Sequence, residues 1–177
     1  MSLRIPIDTT HDHILGNEEA FATLVEYGDY QCPYCGAAQP IVKQLLEHHG
    51  KDLRLVFRQF PLGEIHPMAV MAAETAEFAG AHGKFWPAHE ALYAHQSRLG
   101  PDYFLEMVEG LGLDPAALKE ALQAGTYTEK VQADFMGGVR SGVNGTPTFF
   151  INGHRHDGDY SFATLSRAID ALRPAAA

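Results

Sequence analysis

The chain has 177 residues, 46% apolar and 20% charged, which suits one folded domain with a sizeable core and excludes a disordered chain. Thirteen basic against 22 acidic residues give a formal net charge of −9, which argues against nucleic acid as a partner because that affinity rests on cations meeting phosphates. No apolar run approaches the ~20 residues that cross a bilayer, so membrane insertion is not expected.

At the start, Leu3 to Ile7 gives way at once to the polar Asp8-Thr-Thr-His-Asp12, and no secretory leader is visible. A cytoplasmic protein is the expectation. Met1-Ser2-Leu3 could also be the scar of a replaced leader, and the place would then be periplasmic or otherwise extracytoplasmic. Phe21 to Tyr27 reads as a strand, apolar enough to be covered on both faces. Gly28-Asp29 ends it, and Cys32-Pro33-Tyr34-Cys35 follows. Next comes a helical pattern with Ala38, Ile41, Val42, Leu45 and Leu46 on one face. Pro40 lies inside it and should kink it. Gly50 stops it after His48 and His49. Leu53 to Gln59 is a second strand, with Leu53, Leu55 and Phe57 alternating against Arg54 and Arg58. Strand, helix and strand make a right-handed βαβ unit.

From Pro61 to Gly142 helical periodicity dominates. The expected helices are Pro67 to His82, Lys84 to His95, Asp102 to Gly110, Asp114 to Ala124 and Thr128 to Ser141, punctuated by glycines. Thr148 to Ile151 returns to strand, Asn152-Gly153 signals a hairpin, and His154 to His156 is its partner. A last helix runs from about Ser161 to Leu172. The one low-complexity tract is the tail Ala175-Ala-Ala177. The fold class is therefore α/β: βαβ and ββα halves, residues 14–60 and 143–174, around an all-helical insertion at 61–142.

The chain has two cysteines, both in that one tetrapeptide. The spacing suits a redox dithiol or half of a metal site. Cys32 should lie at a helix N-terminus, where the helix dipole and free amides stabilise a thiolate. Pro33 is favoured in a first turn. Cys35, one turn further in, should be more buried and able to resolve a mixed disulfide. For zinc, Cys32, Cys35 and His48 match the first part of a finger spacing. The second histidine, His49, is adjacent rather than several residues on, and both histidines lie far along the helix. Glu26 stands in an otherwise apolar strand six residues before Cys32. A carboxyl there would be partly buried, with a raised pKa, and could carry a proton for the resolving thiol. The plain alternative is a strand-end glutamate reaching solvent. Pro147, opening a strand in Gly145-Thr146-Pro147-Thr148, is a candidate cis peptide, against an ordinary trans proline on an edge strand.

These residues together resemble the DsbA-like branch of the thioredoxin superfamily. Glu26, Cys32-Pro33-Tyr34-Cys35, Pro40, Thr146-Pro147 and the helical block carry the resemblance over nearly all of the chain beyond its first fifteen residues. It implies a thioredoxin-like fold with a mixed central sheet and a helical insertion. It also implies Cys32 as nucleophile, Cys35 as resolving thiol, Glu26 as buried proton carrier and a cis Pro147. Pro33, Tyr34, Thr146 and Pro147 would be substrate-binding. The chain departs from DsbA itself, which has Pro-His between its cysteines. Pro33-Tyr34 is the glutaredoxin dipeptide, and Thr146 resembles the residue before the cis-proline in bacterial disulfide isomerases. Family potentials run from ~−270 mV in thioredoxin to ~−120 mV in DsbA, and this chain is expected between them.

The function expected is thiol-disulfide exchange with protein or peptide thiols, without cofactor or metal. Glutathione or a redox partner protein is a further candidate partner. The alternatives are a glutaredoxin-like, glutathione-dependent reductase and a non-catalytic zinc-binding or chaperone-like module. Phe85, Trp86, His89 and Leu92 read as core of the helical block. His66 reads as a cap or loop residue that could overhang the dithiol. Gly137 to Gly145 reads as a helix end and loop, not a phosphate cradle. His154 and His156 are expected to face solvent.

Overall fold

A computed structural model describes residues 1–174; the alanine tail read at 175–177 lies outside the described residues. The strands are His13–Gly16 (β1), Ala22–Gly28 (β2), Leu53–Gln59 (β3), Thr148–Ile151 (β4) and His154–Arg155 (β5), in the order β1-β3-β2-β4-β5. Only β2 and β3 run parallel, joined across the sheet by the helix Pro33–His49 (α1). The other pairings are antiparallel, so the sheet is mixed. This is the α/β fold with a mixed central sheet that the pattern and the family resemblance together imply.

Every residue of β2 is buried, as its unbroken apolar run requires. Side chains alternate along it. Ala22 and Leu24 pack against Ala38, Val42 and Leu45 of α1 and against Leu165 and Ile169 of the last helix, Phe162–Asp170 (α7). Val25 and Tyr27 face the other way, onto Val56, Phe60, Val143 and Phe150. At roughly 1.5–3 kcal/mol for each large side chain buried, this two-sided packing fixes the register, since a slip of one residue would exchange the faces. The same alternation carries the next residue of the first row, Glu26, beneath the start of α1.

Between β3 and β4 lie Ala69–Ala81 (α2), Phe85–Ala94 (α3), Pro101–Gly110 (α4), Pro115–Ala124 (α5) and Thr128–Arg140 (α6). They match the five expected helices to within a residue or two. Asp114 caps α5 by accepting the Ala116 N–H at 2.9 Å, and Gly125 ends it in the left-handed region at φ 64°. Buried alanines 69, 72, 73, 76 and 79 make α2 narrow enough to sit inside the bundle. Phe57, Phe78, Phe85, Leu92, Phe104 and Leu118 form a core that also holds Tyr30, Cys32 and Cys35. The helices thus pack directly onto the dithiol segment.

Two local features differ from the sequence reading. The first is β1, a four-residue edge strand too short to show a period, which pairs His13 with Phe57 and Ile14 with Val56. The second is Arg58. Alternation makes it an outward residue of β3, yet it is 3% exposed, because the N-terminal segment folds over it. It donates from Nε and Nη2 to both carboxylate oxygens of Asp12, each at 2.8 Å, and from Nη1 to Ile5 O at 3.0 Å. The glycine pair Gly137-Gly138 lies buried inside α6, within the helix expected over Thr128 to Ser141. A Cβ on Gly138 would meet Phe60 Cδ2 at 2.7 Å and Tyr27 Cδ1 at 3.0 Å, so the helix approaches the sheet as only glycine permits. Gly138→Ala is expected to cost about 1–3 kcal/mol in urea unfolding without a change in m-value. At the expected hairpin, Asn152 and Gly153 take φ 46° and 79°, the left-handed pair of a two-residue turn.

Candidate active site

β2 ends at Gly28, and Tyr30 and Gln31 lead into α1, whose first turn is Pro33-Tyr34-Cys35. Asp29 builds this turn. Its Oδ1 accepts the Gln31 N–H at 2.7 Å, and its Oδ2 accepts the Leu62 N–H at 2.9 Å and faces His66 Nδ1 at 2.7 Å. His66 is therefore tied to Asp29, next to the dithiol segment. Cys32 is the N-cap of α1, at φ −70° and ψ 121°, and its side chain is free of any capping bond. No acidic residue occupies the first turn, so nothing opposes the positive end of the helix there.

The two thiols have opposite environments. Cys32 is 3% exposed and Cys35 is fully buried. The Cys32 thiol is pulled down to about 5, chiefly by a hydrogen bond from Cys35, then by the Thr146 side chain and the Cys35 and Tyr34 amides, against the cost of burial. Its neutral thiol donates to Thr146 O at 3.4 Å. On ionisation that donation ends, while the Cys35 thiol and the two amides continue to donate to sulfur. Cys35 moves the other way. Burial pushes its thiol far above the usual range, helped by its bond to Cys32 and the charge of Glu26, although the Asp29 N–H donates to its sulfur at 3.5 Å.

Glu26 is fully buried, and burial raises its carboxyl to about 8. The Gln39 amide donates to its Oε1 at 3.2 Å and only partly offsets this, while Oε2 has no hydrogen-bond partner among the described residues. The strand-end reading, a glutamate in solvent, is thereby corrected. Gln39 follows Cys35 by four residues, so both project from the same side of α1 toward the strand.

The Thr146–Pro147 peptide is cis, and Thr146 O lies beside the Cys32 sulfur. Pro147 is half-buried there. Pro33 is exposed and Tyr34 is 65% exposed, on the rim of the dithiol. All seven site residues predicted from sequence thus converge on one end of β2. His48 and His49 do not join them. They lie 13 residues or more along α1, roughly 20 Å at 1.5 Å per residue, with His49 Nε2 3.1 Å from Ser166 Oγ, so the zinc alternative lacks its histidines.

Gln96 is the residue that sequence reading misses. Standing just beyond α3, it donates from Nε2 to Tyr30 O at 2.8 Å and to Cys32 O at 2.9 Å. Its amide fills the space beside Gly36, where a Cβ would collide with it. No local motif marks such a contact, which joins positions more than sixty residues apart. Gln39 does carry a signal, the four-residue spacing from Cys35.

A family model described as thioredoxin matches residues 8–171. The solved thioredoxin-like oxidoreductase from Silicibacter pomeroyi is 30% identical, with a TM-score of 0.82 over 94% of each chain. Oxidised BdbD from Bacillus subtilis scores 0.84 at 22% identity over 93% of this chain and 94% of its own. Alpha-DsbA1 from Wolbachia pipientis scores 0.78 at 20% identity over 96% of this chain and 94% of its own. By sequence, a protein named Na(+)/H(+) antiporter NhaA 1 from Salinispora arenicola is 44% identical over 96% of this chain and 26% of its own length. The chain spans about a quarter of the length of the curated relatives it matches. The expectation of a cytoplasmic place is overturned by these matches: a thioredoxin-like protein of Salmonella enterica serovar Typhimurium, with TM-score 0.76 and 21% identity over 95% of this chain and 98% of its own, is periplasmic by its own description, and none supports the cytoplasm. The chain belongs to the thioredoxin family, and its fold is that of the DsbA-like oxidoreductases.

Proposed function

We propose that this member of the thioredoxin family is a thiol-disulfide oxidoreductase acting on protein or peptide thiols, with Cys32 as nucleophile, Cys35 as resolving thiol and Glu26 as proton carrier. The observation that carries the reading is the divergence of two neighbouring thiols, one held at about 5 and the other far above the usual range. Such a pair has one group ready to attack at neutral pH and one that reacts only after losing its proton locally.

In the reducing direction, the Cys32 thiolate attacks one sulfur of a substrate disulfide. A mixed disulfide forms and the other substrate sulfur leaves as a thiolate. Cys35 then passes its proton to the free Oε2 of Glu26 and attacks Cys32 Sγ. The Cys32–Cys35 disulfide forms and the second substrate thiolate departs, so two electrons have moved to substrate. The oxidising direction is the reverse. A carboxyl near 8 suits the proton step because it can hold or release a proton close to neutrality. Pro33, Tyr34, Thr146 and Pro147 would receive the substrate chain, and glutathione or a partner protein would restore the starting state. A thiol near 5 lies between thioredoxin's ~7 and DsbA's ~3.5, in keeping with a potential between theirs. We assign the exchange chemistry to the 14–60 and 143–174 segments, with the helical 61–142 segment supporting it through Gln96. Ion transport, in the relatives' name, is not carried over: the chain matches a quarter of their length, its own site is a dithiol, and no helix among the described residues is long and apolar enough to cross a membrane.

The test is alkylation of the reduced protein with iodoacetamide from pH 4 to 10, beside oxidation of a reduced peptide by the disulfide form. Cys32 is expected to react with a midpoint near pH 5 and Cys35 to stay unmodified. Equal labelling of both thiols with midpoints near an ordinary ~8.5 would sink the reading.

A further inference from the structure

The buried carboxyl of Glu26 is the end of a chain of hydrogen bonds that runs out of the sheet and into the helical block. Gln39 Nε2 donates to Glu26 Oε1 at 3.2 Å. Gln39 Oε1 lies 3.1 Å from His89 Nε2. His89 Nδ1 lies 3.1 Å from the hydroxyl of Tyr30. His89 and Tyr30 are buried and Gln39 half-buried, so the His89–Tyr30 bond is shielded from water while the bonds of Gln39 lie beside the surface. His89 stands on α3, fifty residues from Gln39, and the helical spacing that marks it as core gives no hint of a polar task.

The direction of donation follows from the acceptor at the end. An ionised Glu26 can only accept, so Gln39 must present its N–H to it and its carbonyl to His89. That carbonyl needs a donor, which requires the His89 proton on Nε2. Nδ1 is then an acceptor, and Tyr30 O–H donates to it. Reversing the Gln39 amide would set its carbonyl against the carboxylate and would suit only a protonated Glu26.

We propose that His89 is a positioning residue for the exchange reaction: its Nε2–H holds the Gln39 amide in the orientation that supports ionised Glu26 and leaves Oε2 as the single oxygen free to take the Cys35 proton. The proposal rests on the exchange reading above and adds to it a residue that never touches substrate. Burial holds His89 down to about 3, with the charge of His13 a lesser cause, so the ring is neutral and its tautomer defined across the working range. The other titratable groups that feel Glu26 are Cys35 of α1, Tyr30 of the preceding loop and Tyr93 of α3, and burial keeps the proton on each tyrosine.

The experiment is a carbon-13 titration of the Glu26 carboxyl in the wild type, His89→Leu and His89→Gln, with the nitrogen-15 shifts of His89 read in the wild type. Leu at 89 frees the Gln39 amide to turn and accept from protonated Glu26, so the acid constant of Glu26 is expected to fall about tenfold, the size of one bond to a charged group. Gln at 89 can still donate and should restore the wild-type value. An acid constant in His89→Leu within twofold of wild type, or higher, overturns the proposal, as does a Gln variant that behaves like Leu. Should the Leu variant fail to fold, the wild-type spectrum decides alone: a proton on Nε2 is expected, and one on Nδ1 refutes the relay. A wild type that exchanges no disulfides would remove the functional reading while leaving the tautomer and midpoint measurable, so the two failures are distinct.

Discussion

Cys32→Ser is expected to abolish exchange, lowering the rate of peptide oxidation and of disulfide reduction by at least about a thousandfold, because a hydroxyl in its place is neither ionised nor a sulfur nucleophile. Cys35→Ser should give a different outcome. Attack by Cys32 survives, but the mixed disulfide has no resolving thiol, so it accumulates as a one-to-one adduct visible by mass. Cys35→Ala sharpens the point further. The Cys35 thiol is the largest support of the Cys32 thiolate, and alanine removes it while serine keeps a donor. The alkylation midpoint of Cys32 should therefore rise from about 5 in Cys35→Ala and rise less in Cys35→Ser. Adduct formation by Cys32→Ser, or identical Cys32 midpoints in the two Cys35 variants, would contradict the assignment of roles.

The contrast between the two thiols was legible from the chain in outline. A proline after the first cysteine, a strand before it and an apolar helical face behind it place Cys32 at a cap and Cys35 inside. Each of those signals is local, within one turn or one strand. Glu26 was legible in part: a lone carboxyl in an apolar strand six residues before Cys32 stands out, but that pattern left a strand-end glutamate in solvent open, and the fold closes the choice by burying it. What the sequence could not supply were contacts closed by distant chain. Gln96 reaches the carbonyls of Tyr30 and Cys32 from beyond α3, and nothing in the residues around Gln96 differs from an exposed loop. His89 sits at a position whose spacing marks it as core, and it is core, yet its two nitrogens carry a polar chain. Arg58 shows the converse. Its strand period predicts exposure, and only the fold of the N-terminal segment over β3 makes it buried and paired with Asp12. Edge strand β1 escaped notice because four residues with one glycine carry too little pattern to be separated from a loop.

Glu26→Gln is expected to make the protein more stable, by a margin that grows as pH rises from about 4.5 to about 8. The carboxyl titrates at 4.5 in an unfolded chain and at about 8 in the fold, with burial the cause and the single bond from Gln39 a partial offset. The folded state therefore holds the proton more tightly than the unfolded one. Below pH 4.5 both states are protonated and the residue costs nothing through ionisation. Between 4.5 and 8 the unfolded chain releases its proton and the folded one retains it, so stability falls as pH rises. Above 8 the loss is complete, and it is worth on the order of 5 kcal/mol at its limit. Glutamine keeps the shape and an oxygen for the Gln39 N–H but has no charge to bury. Measured on the disulfide form, so that neither thiol titrates, urea unfolding of the two proteins should agree within about 1 kcal/mol at pH 5 and diverge in favour of Glu26→Gln by several kcal/mol at pH 9. The same variant should resolve mixed disulfides more slowly, since Cys35 loses its proton acceptor. A residue that weakens the fold and speeds the chemistry is what a proton carrier beneath a dithiol has to be; a variant whose advantage is no larger at pH 9 than at pH 5 would show that Glu26 is ionised at no cost and is not the carrier.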